Sequence, residues 1–211
     1  MAKEKLWSFW AQSYDRLWVQ RYSLGPTRRE VLQALQGILK KEKPYKILDV
    51  GCGIGELLRD IQRTFPDFQL QLTGIDFSSG MINRAQSLSE GIRYQKMDVN
   101  NLGAWQETFD IIICTHSFPY YPHQREILKN FQQLLEGRGH LLLAQASQNN
   151  LYDKIALFFV KFTTGQANYP SVRTMEKLAQ GIFTLEKVIL IKERFYMPSI
   201  YLFILKGGEK Q

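Results

Sequence analysis

Apolar and polar residues follow a regular order along the chain that predicts strands and helices in turn from about residue 27 to residue 145. Short apolar runs bounded by turn residues are typical of strands, and apolar residues three or four positions apart are typical of helices that pack on a sheet. The predicted strands of this region are 46–50, 68–75, 92–97, 109–114 and 140–144. This order predicts a parallel sheet that is covered by helices on both faces.

The pattern changes after residue 145. Residues 149–180 have a helical pattern without a strand, and two strand-like runs follow at 185–194 and 199–206. The residues 195–198 between these runs are few enough for a hairpin, which would make the last strand antiparallel. We therefore predict an α/β fold whose doubly wound, mostly parallel seven-stranded sheet has an antiparallel last strand.

Capping signals mark the ends of several predicted helices. Thr27 and Glu30 form a capping-box pattern at the start of the first helix, and Ser78 is a candidate cap for the helix after the second strand. Gly137 is expected to close the helix that precedes the fifth strand.

The 211 residues predict one domain with its own core. We divide it into an N-terminal helical segment (1–44), a ligand-binding core (45–145), a helical lid (146–182) and a C-terminal strand hairpin (183–206). The longest apolar run has six residues, whereas a membrane-spanning helix needs roughly 20. The sequence contains no export signal, so we expect a soluble, cytoplasmic protein.

The composition excludes several classes of protein. Cys52 and Cys114 are the only cysteines, which excludes a disulfide scaffold and a cysteine-rich zinc site, and three histidines add little. We therefore predict no metal. Apolar residues make up 45% of the chain, which excludes intrinsic disorder.

A net charge of +7 would fit a nucleic-acid-binding protein, but the distribution of the charge argues against it. Residues 1–50 carry ten basic and five acidic side chains, residues 51–150 carry eight and ten, and residues 151–211 carry nine and five. The basic excess lies at both ends, around a slightly acidic middle. The charge is compatible with an anionic acceptor or with contact to a membrane surface.

The most informative segment joins the first strand to the helix after it. Gly51, Gly53 and Gly55 alternate there, and glycines let a ligand approach the backbone closely. The dinucleotide fingerprint needs a third glycine where Glu56 or Leu58 stands, and no Gly-Lys-Ser/Thr follows as in a P-loop. The turn therefore favours a ligand without phosphate groups.

This turn and four later segments resemble the ordered motifs of the class I S-adenosylmethionine (SAM) methyltransferases. Asp49-x-Gly51-x-Gly53-x-Gly55 is similar to the first motif in all four positions. The later segments are 72–78, 96–99, 109–114 and 134–139. Residues 9–15 also resemble the N-terminal segment of small-molecule methyltransferases, including the ubiquinone-biosynthesis type. The resemblance is strong over about residues 45–145 and implies a Rossmann-like methyltransferase fold with SAM as the cofactor.

The resemblance also implies roles for single residues. The carboxylate of Asp76 can accept hydrogen bonds from both ribose hydroxyls, a role that would equally suit NAD. Asp98 would bond the adenine amino group and the Val99 backbone N–H a ring nitrogen, while Asp49 would orient the turn and help to bind the methionine ammonium. The other predicted cofactor contacts are Tyr14, Gly51, Gly53, Phe77, Met81 and Cys114.

Several of these residues have a purely structural alternative. Asp76 could be a helix cap and Asp98 a loop cap. Phe77 and Met81 could belong to the core, and Tyr14 could be a structural tyrosine.

Candidates for the acceptor side follow the fourth strand. The donor methyl is already activated, so the protein mainly aligns the reactants and a catalytic signature can be absent. His116 is the candidate general base, because imidazole titrates near neutral pH, and a loop histidine bonded to backbone is the alternative. Tyr120 and Tyr121 are predicted substrate contacts in an aromatic wall. The Asn/Asp-Pro-Pro-Tyr/Phe signature of amino-methylating enzymes is missing here.

The predicted lid is rich in apolar side chains on most of its faces. We predict that Phe158 and Phe159 help to form a hydrophobic pocket for an aromatic, quinone-like or lipid-like acceptor. A lid helix that simply packs on the sheet is the alternative.

Together these features predict a SAM-dependent methyltransferase that acts on a small molecule, with nucleic acid disfavoured as a partner. Two alternatives stay open: an RNA methyltransferase that uses the basic ends, and a SAM-binding protein without turnover. Steeply salt-dependent RNA binding would favour the first of them.

Overall fold

Seven strands form a single sheet in the computed structural model, which describes residues 23–164, 167–194 and 197–208, without the side chains of 159–164. The strands are β1 (Tyr45–Val50), β2 (Leu70–Asp76), β3 (Arg93–Lys96), β4 (Phe109–Thr115), β5 (Leu135–Ala146), β6 (Phe183–Ile191) and β7 (Ile200–Gly207). Their order across the sheet is β3-β2-β1-β4-β5-β7-β6.

The direction of the strands confirms the predicted fold class. β1 to β5 pair in parallel, and β7 runs antiparallel to both of its neighbours, β5 and β6. β6 is the edge strand and ends at Ile191 instead of residue 194, so the connection to β7 is longer than the predicted four-residue turn.

Helices lie between the strands as the alternation predicts. They are α1 (Gly25–Ile38), α2 (Glu56–Thr64), α3 (Ser79–Leu88), α4 (Gln124–Leu134), α5 (Leu151–Thr164) and α6 (Val172–Ala179), with short 3-10 helices at Val99–Ala104 and Phe118–Tyr120. Because α4 passes directly into β5, Gly137 lies inside the strand and does not close the helix as predicted. In the described part of the chain, no helix is long and apolar enough to cross a membrane.

The central strand β4 is buried on both faces. Ile111 and Ile113 belong to an apolar cluster that includes Leu35 of α1, whereas Ile112 belongs to a cluster on the opposite face that includes Phe131 of α4. All five side chains are 0% exposed. Successive strand residues point to opposite faces, so a strand covered on both sides needs a nearly continuous apolar run.

The helix caps agree with the sequence at α3 and differ at α1. Ser78 caps α3 by accepting a hydrogen bond from the backbone N–H of Met81. α1 begins at Gly25 without a side-chain cap, so the predicted capping box is wrong. Thr27 instead lies buried in the first turn and donates its hydroxyl hydrogen to the Ser23 carbonyl oxygen at 2.9 Å.

The register of the sheet brings the carboxyl ends of three strands together. Asp49 of β1 lies opposite Gly74 of β2 and Ile113 of β4, and Asp76 ends β2. In open parallel sheets, ligands bind outside this edge.

Gly74 provides a test of the packing beneath this edge. A Cβ there would lie 2.8 Å from Tyr94 Cδ1 and 2.9 Å from Cys52 Sγ and from Leu58 Cδ1. We expect Gly74→Ala to lower the free energy of unfolding by about 1–3 kcal/mol, because overpacking displaces the neighbours. Gly37→Ala is the matched control, since a Cβ at that helical position meets nothing within 4 Å. Urea denaturation measures both variants, and native stability of Gly74→Ala would contradict the close packing.

Candidate active site

The turn after β1 is built from glycines in the left-handed conformation. Gly51, Gly53 and Gly55 have φ angles of 77°, 55° and 75°, which side chains disfavour. A Cβ at Gly51 would also lie 2.5 Å from the Ser117 side chain and 2.9 Å from the Tyr121 hydroxyl. Gly51 is therefore required both by the backbone and by the close approach of the loop after β4.

Asp76 ties this turn to the end of β2. Its Oδ2 accepts the Gly53 N–H at 3.0 Å, and its Oδ1 accepts the Ser78 N–H at 2.9 Å. Burial raises the pKa of Asp76, and the N–H groups of Ser78, Gly53 and Phe77 partly offset this rise. An ionised carboxylate can accept about four hydrogen bonds, so Asp76 keeps room to accept one from a ligand.

Asp49 is a buried carboxylate that lacks a partner for one oxygen. It is 1% exposed, and the described residues offer its Oδ1 no hydrogen bond. Burial, and secondly the charge of Asp76, raise the pKa of Asp49 to about 8. An orphaned carboxylate beside a second acid is costly to ionise without a cation, so this edge of the sheet fits a positively charged ligand.

A cavity of about 530 Å³ opens along the same edge. Residues from the segments that follow β1, β2, β3 and β4 line it, as expected where the carboxyl ends of parallel strands converge. The predicted site residues among them are Asp49, Gly51, Gly53, Asp76, Phe77, Met81, Asp98, Val99, His116, Tyr120 and Tyr121.

The structure does not bring every predicted contact to the cavity. Cys114 is fully buried in the core on the α4 face, where its Sγ lies 3.2 Å from Ser117 Oγ. Phe158 of α5 is 56% exposed and is not a lining residue. Tyr14 and the side chain of Phe159 lie outside the described residues, so their roles stay predictions.

Asp98 lines the cavity and also caps the 3-10 helix that follows it. Its Oδ1 accepts hydrogen bonds from the backbone N of Asn100 at 2.9 Å and from Nδ2 of the same residue at 2.8 Å. The neighbouring Val99 is buried. The cap thereby fixes the course of the backbone where Asp98 and Val99 meet the cavity.

Arg28 of α1 is a lining residue for which the sequence gives no local signal. Its guanidinium contacts Glu56 Oε2 at 3.0 Å and Asp60 Oδ2 at 2.9 Å. These ion pairs fasten α1 to the first turns of α2. Glu56 also lines the cavity, and Arg28 offsets its negative charge.

His116 is held to β5 by its backbone and to α1 by its imidazole. The residue has a φ of 60°, and its backbone N–H donates to the Ala144 carbonyl oxygen at 2.7 Å. Its Nε2 lies 2.9 Å from Thr27 Oγ1. Burial, and secondly the positive charge of Arg28, lower the pKa of His116 to about 4. The side chain is therefore neutral at physiological pH.

Two tyrosines complete the loop after β4. Ser117 Oγ donates to the Val50 carbonyl oxygen at 3.0 Å and so holds the loop against β1. Burial raises the pKa of Tyr121 well above its usual range. The Tyr120 hydroxyl lies 3.3 Å from that of Tyr169, and their rings meet edge to face. The segment before α6 thus supports the aromatic wall.

The other two histidines lie away from the cavity. His123 precedes α4 and is exposed, whereas His140 lies in β5 with its Nε2 3.3 Å from Glu186 Oε2. The described segments bring together no group of three or more His, Cys, Asp or Glu side chains that could hold a metal ion.

Comparison with known sequences shows what the core is similar to. A family model described as a methyltransferase domain matches residues 47–139. The demethylmenaquinone methyltransferase of Thermotoga maritima is 27% identical over 127 residues, which cover 59% of this chain and 55% of the relative. The malonyl-[acyl-carrier protein] O-methyltransferase of Bacillus cereus is 26% identical over 154 residues, 70% of this chain and 54% of the relative.

A third relative is the ubiquinone biosynthesis O-methyltransferase of Acinetobacter baylyi. It is 30% identical over 110 residues, which cover 49% of this chain and 44% of the relative. The chain therefore spans about half the length of the curated relatives it matches.

Solved structures share the fold at low sequence identity. A chain of the complex between the Haloferax volcanii Trm112 methyltransferase activator and a methyltransferase matches with a TM-score of 0.78 and 14% identity, over 96% of this chain and 98% of that chain. Magnesium protoporphyrin IX methyltransferase from Synechocystis, with bound S-adenosylhomocysteine, matches with a TM-score of 0.68 and 19% identity, over 92% and 88%.

The matched range runs from β1 into β5 and contains the strands whose carboxyl ends form the cavity. The fold comparison and the ordered motifs agree with this match. Residues 47–139 therefore match a methyltransferase domain, and the ordered motifs in this range are similar to those of the class I SAM-dependent methyltransferases.

Proposed function

We propose that this protein transfers a methyl group from SAM to a small-molecule acceptor of aromatic or lipid-like character. The observation that carries the proposal is Asp49, a buried acid on the cavity wall whose Oδ1 has no partner among the described residues. A cationic ligand stabilises such a carboxylate. SAM has an ammonium and a sulfonium group, and when bound it supplies a methyl group that is already activated for transfer.

The cavity residues fit the parts of SAM by charge and by shape. Asp49 would meet the ammonium, and the glycine turn leaves room for the methionine part. Asp76 would accept a hydrogen bond from the ribose through the capacity that its bonds to backbone N–H groups leave available. The residues suited to surround the adenine are Phe77, Met81, Asp98 and Val99.

The charge of the cavity favours SAM over NAD. The cavity is lined by four acids, Asp49, Glu56, Asp76 and Asp98, against the two bases Arg28 and Lys96, and Arg28 is paired with Glu56. The pyrophosphate of NAD would add two negative charges to this acidic region, whereas SAM adds positive charge.

The acceptor side has an aromatic and apolar surface. Tyr120 and Tyr121 line it together with Leu24 and Pro122. Such a surface suits a flat, apolar molecule. Two relatives, a demethylmenaquinone methyltransferase and a ubiquinone biosynthesis O-methyltransferase, support the same class of acceptor by their names.

The helical lid contacts this surface through Leu157, and not through the predicted Phe158. Leu157 of α5 is buried in a small cluster with Tyr169, and Tyr120 packs against that cluster. Phe158, on the same helix, is exposed. Contact of Phe158 and Phe159 with the acceptor stays a prediction.

Asp76→Asn should weaken SAM binding by about 10- to 100-fold, because hydrogen bonds to a charged group are worth about 1.5–3 kcal/mol. Calorimetric titration with SAM, and separately with NAD, measures the effect. Asp110→Asn is the matched control, since Asp110 lies at the opposite end of its strand, contacts Lys43 and the backbone N–H of Lys46, and does not line the cavity. Full SAM affinity in Asp76→Asn would refute its assigned role.

Methyl transfer itself is tested with SAM that carries a radioactive methyl group. We expect the protein to move the label into a small product that organic solvent extracts from a fractionated cell extract, with release of S-adenosylhomocysteine. Label that enters only RNA would support the RNA methyltransferase alternative. SAM binding without any S-adenosylhomocysteine, in every fraction tested, would support a binding protein without turnover.

A further inference from the structure

We propose that Thr27 is a positioning residue that holds His116 as the neutral tautomer with its hydrogen on Nε2, which leaves Nδ1 to accept a hydrogen bond from the methyl acceptor. Thr27 is 1% exposed on α1, and His116 lines the cavity. The Thr27 hydroxyl does not serve as a helix cap, because α1 starts without a side-chain cap. The assignment of the tautomer does not depend on the proposed function. Only the hydrogen bond between Nδ1 and the methyl acceptor rests on that function.

The direction of the bond follows from the hydrogens available. A threonine hydroxyl has one hydrogen, and a carbonyl oxygen can only accept. Thr27 Oγ1 donates its hydrogen to the Ser23 carbonyl oxygen at 2.9 Å. His116 Nε2 lies 2.9 Å from the same Oγ1. No hydroxyl hydrogen is left for the imidazole, so His116 Nε2 is the donor and Thr27 the acceptor.

The imidazole has a single N–H under physiological conditions. Burial, and secondly the charge of Arg28, lower the pKa of His116 to about 4. A neutral imidazole with its hydrogen on Nε2 has its free lone pair on Nδ1. No residue in the described part of the chain donates a hydrogen bond to this Nδ1.

The same low pKa favours alignment over proton removal as the role of His116. A base with a pKa of about 4 is poorly matched to a weakly acidic hydroxyl at neutral pH. An Nδ1 lone pair can instead accept the hydrogen of an O–H or N–H group and thereby orient the atom that is methylated. The bond from the backbone N–H of His116 to the Ala144 carbonyl oxygen fixes the main chain at this residue.

The tautomer can be measured directly by NMR of protein with ¹⁵N-labelled histidine. The chain has only three histidines, so His116→Gln identifies the His116 signals by their loss. Long-range ¹H–¹⁵N correlation at pH 7 should show His116 with its hydrogen on Nε2. Thr27→Val, which keeps the shape and removes the acceptor, should shift His116 towards the Nδ1–H tautomer. Thr27→Ser should restore the native pattern.

Ser23→Ala is the matched control, because Ser23 contributes only its backbone carbonyl to this arrangement. It should leave the tautomer unchanged. A native protein with the hydrogen on Nδ1, or with both ring nitrogens protonated at pH 7, would overturn the proposal even if Thr27→Val fails to fold. So would a folded Thr27→Val variant whose His116 signals match the native ones.

A kinetic readout separates the tautomer from its use. With an acceptor from the labelled-methyl assay, Thr27→Val should lower kcat by about tenfold, the worth of one hydrogen bond, while the calorimetric Kd for SAM stays native. Native kcat in a variant with the altered tautomer would refute the role of Nδ1. If no acceptor is methylated, the proposed function fails, and the NMR result still decides the tautomer.

Discussion

The site depends on two carboxylates that the parallel register buries at one edge of the sheet. Asp49 lies within β1, Asp76 ends β2, and burial raises the pKa of both. The pKa of Asp49 rises from 3.8 to about 8 on folding. Its contribution to stability is therefore present below pH 3.8 and is lost as the pH rises through about 8. Above that pH the protein without a ligand holds an ionised acid that lacks a cation, and a positively charged ligand removes this cost.

Acids outnumber bases on the cavity wall, and one of its two bases, Arg28, is ion-paired with α2. Arg28 is the nearby guanidinium, and its contacts at 3.0 and 2.9 Å go to Glu56 and Asp60. The backbone N–H groups of Gly53 and Ser78 satisfy Asp76 without adding charge. The acids of the cavity wall are complementary to a cationic cofactor, whereas the net charge of +7 belongs to the chain as a whole.

Much of the fold and of the cofactor-binding part of the site can be predicted from the sequence, because the sequence patterns that indicate them are local. The alternation of strands and helices, the cap at Ser78 and the glycine turn each depend on a few neighbouring residues. Local patterns do not predict contacts between distant residues. Thr27 is an example, since its local pattern indicates a helix cap but its side chain contacts His116, 89 residues away. Cys114 and Phe158 show the same limit: strand alternation buries one in the core, and helix packing leaves the other exposed.

Proton release on SAM binding tests the central claim most directly. Calorimetry at pH 7 in two buffers of different ionisation enthalpy counts the protons exchanged, and Asp49→Asn corrects for the titration of SAM itself. Asp49, with a pKa of about 8, should be mostly protonated before binding and ionised beside the cation, so the native protein should release close to one proton more than the variant. Equal proton release by the two proteins, at similar SAM affinity, would contradict the account.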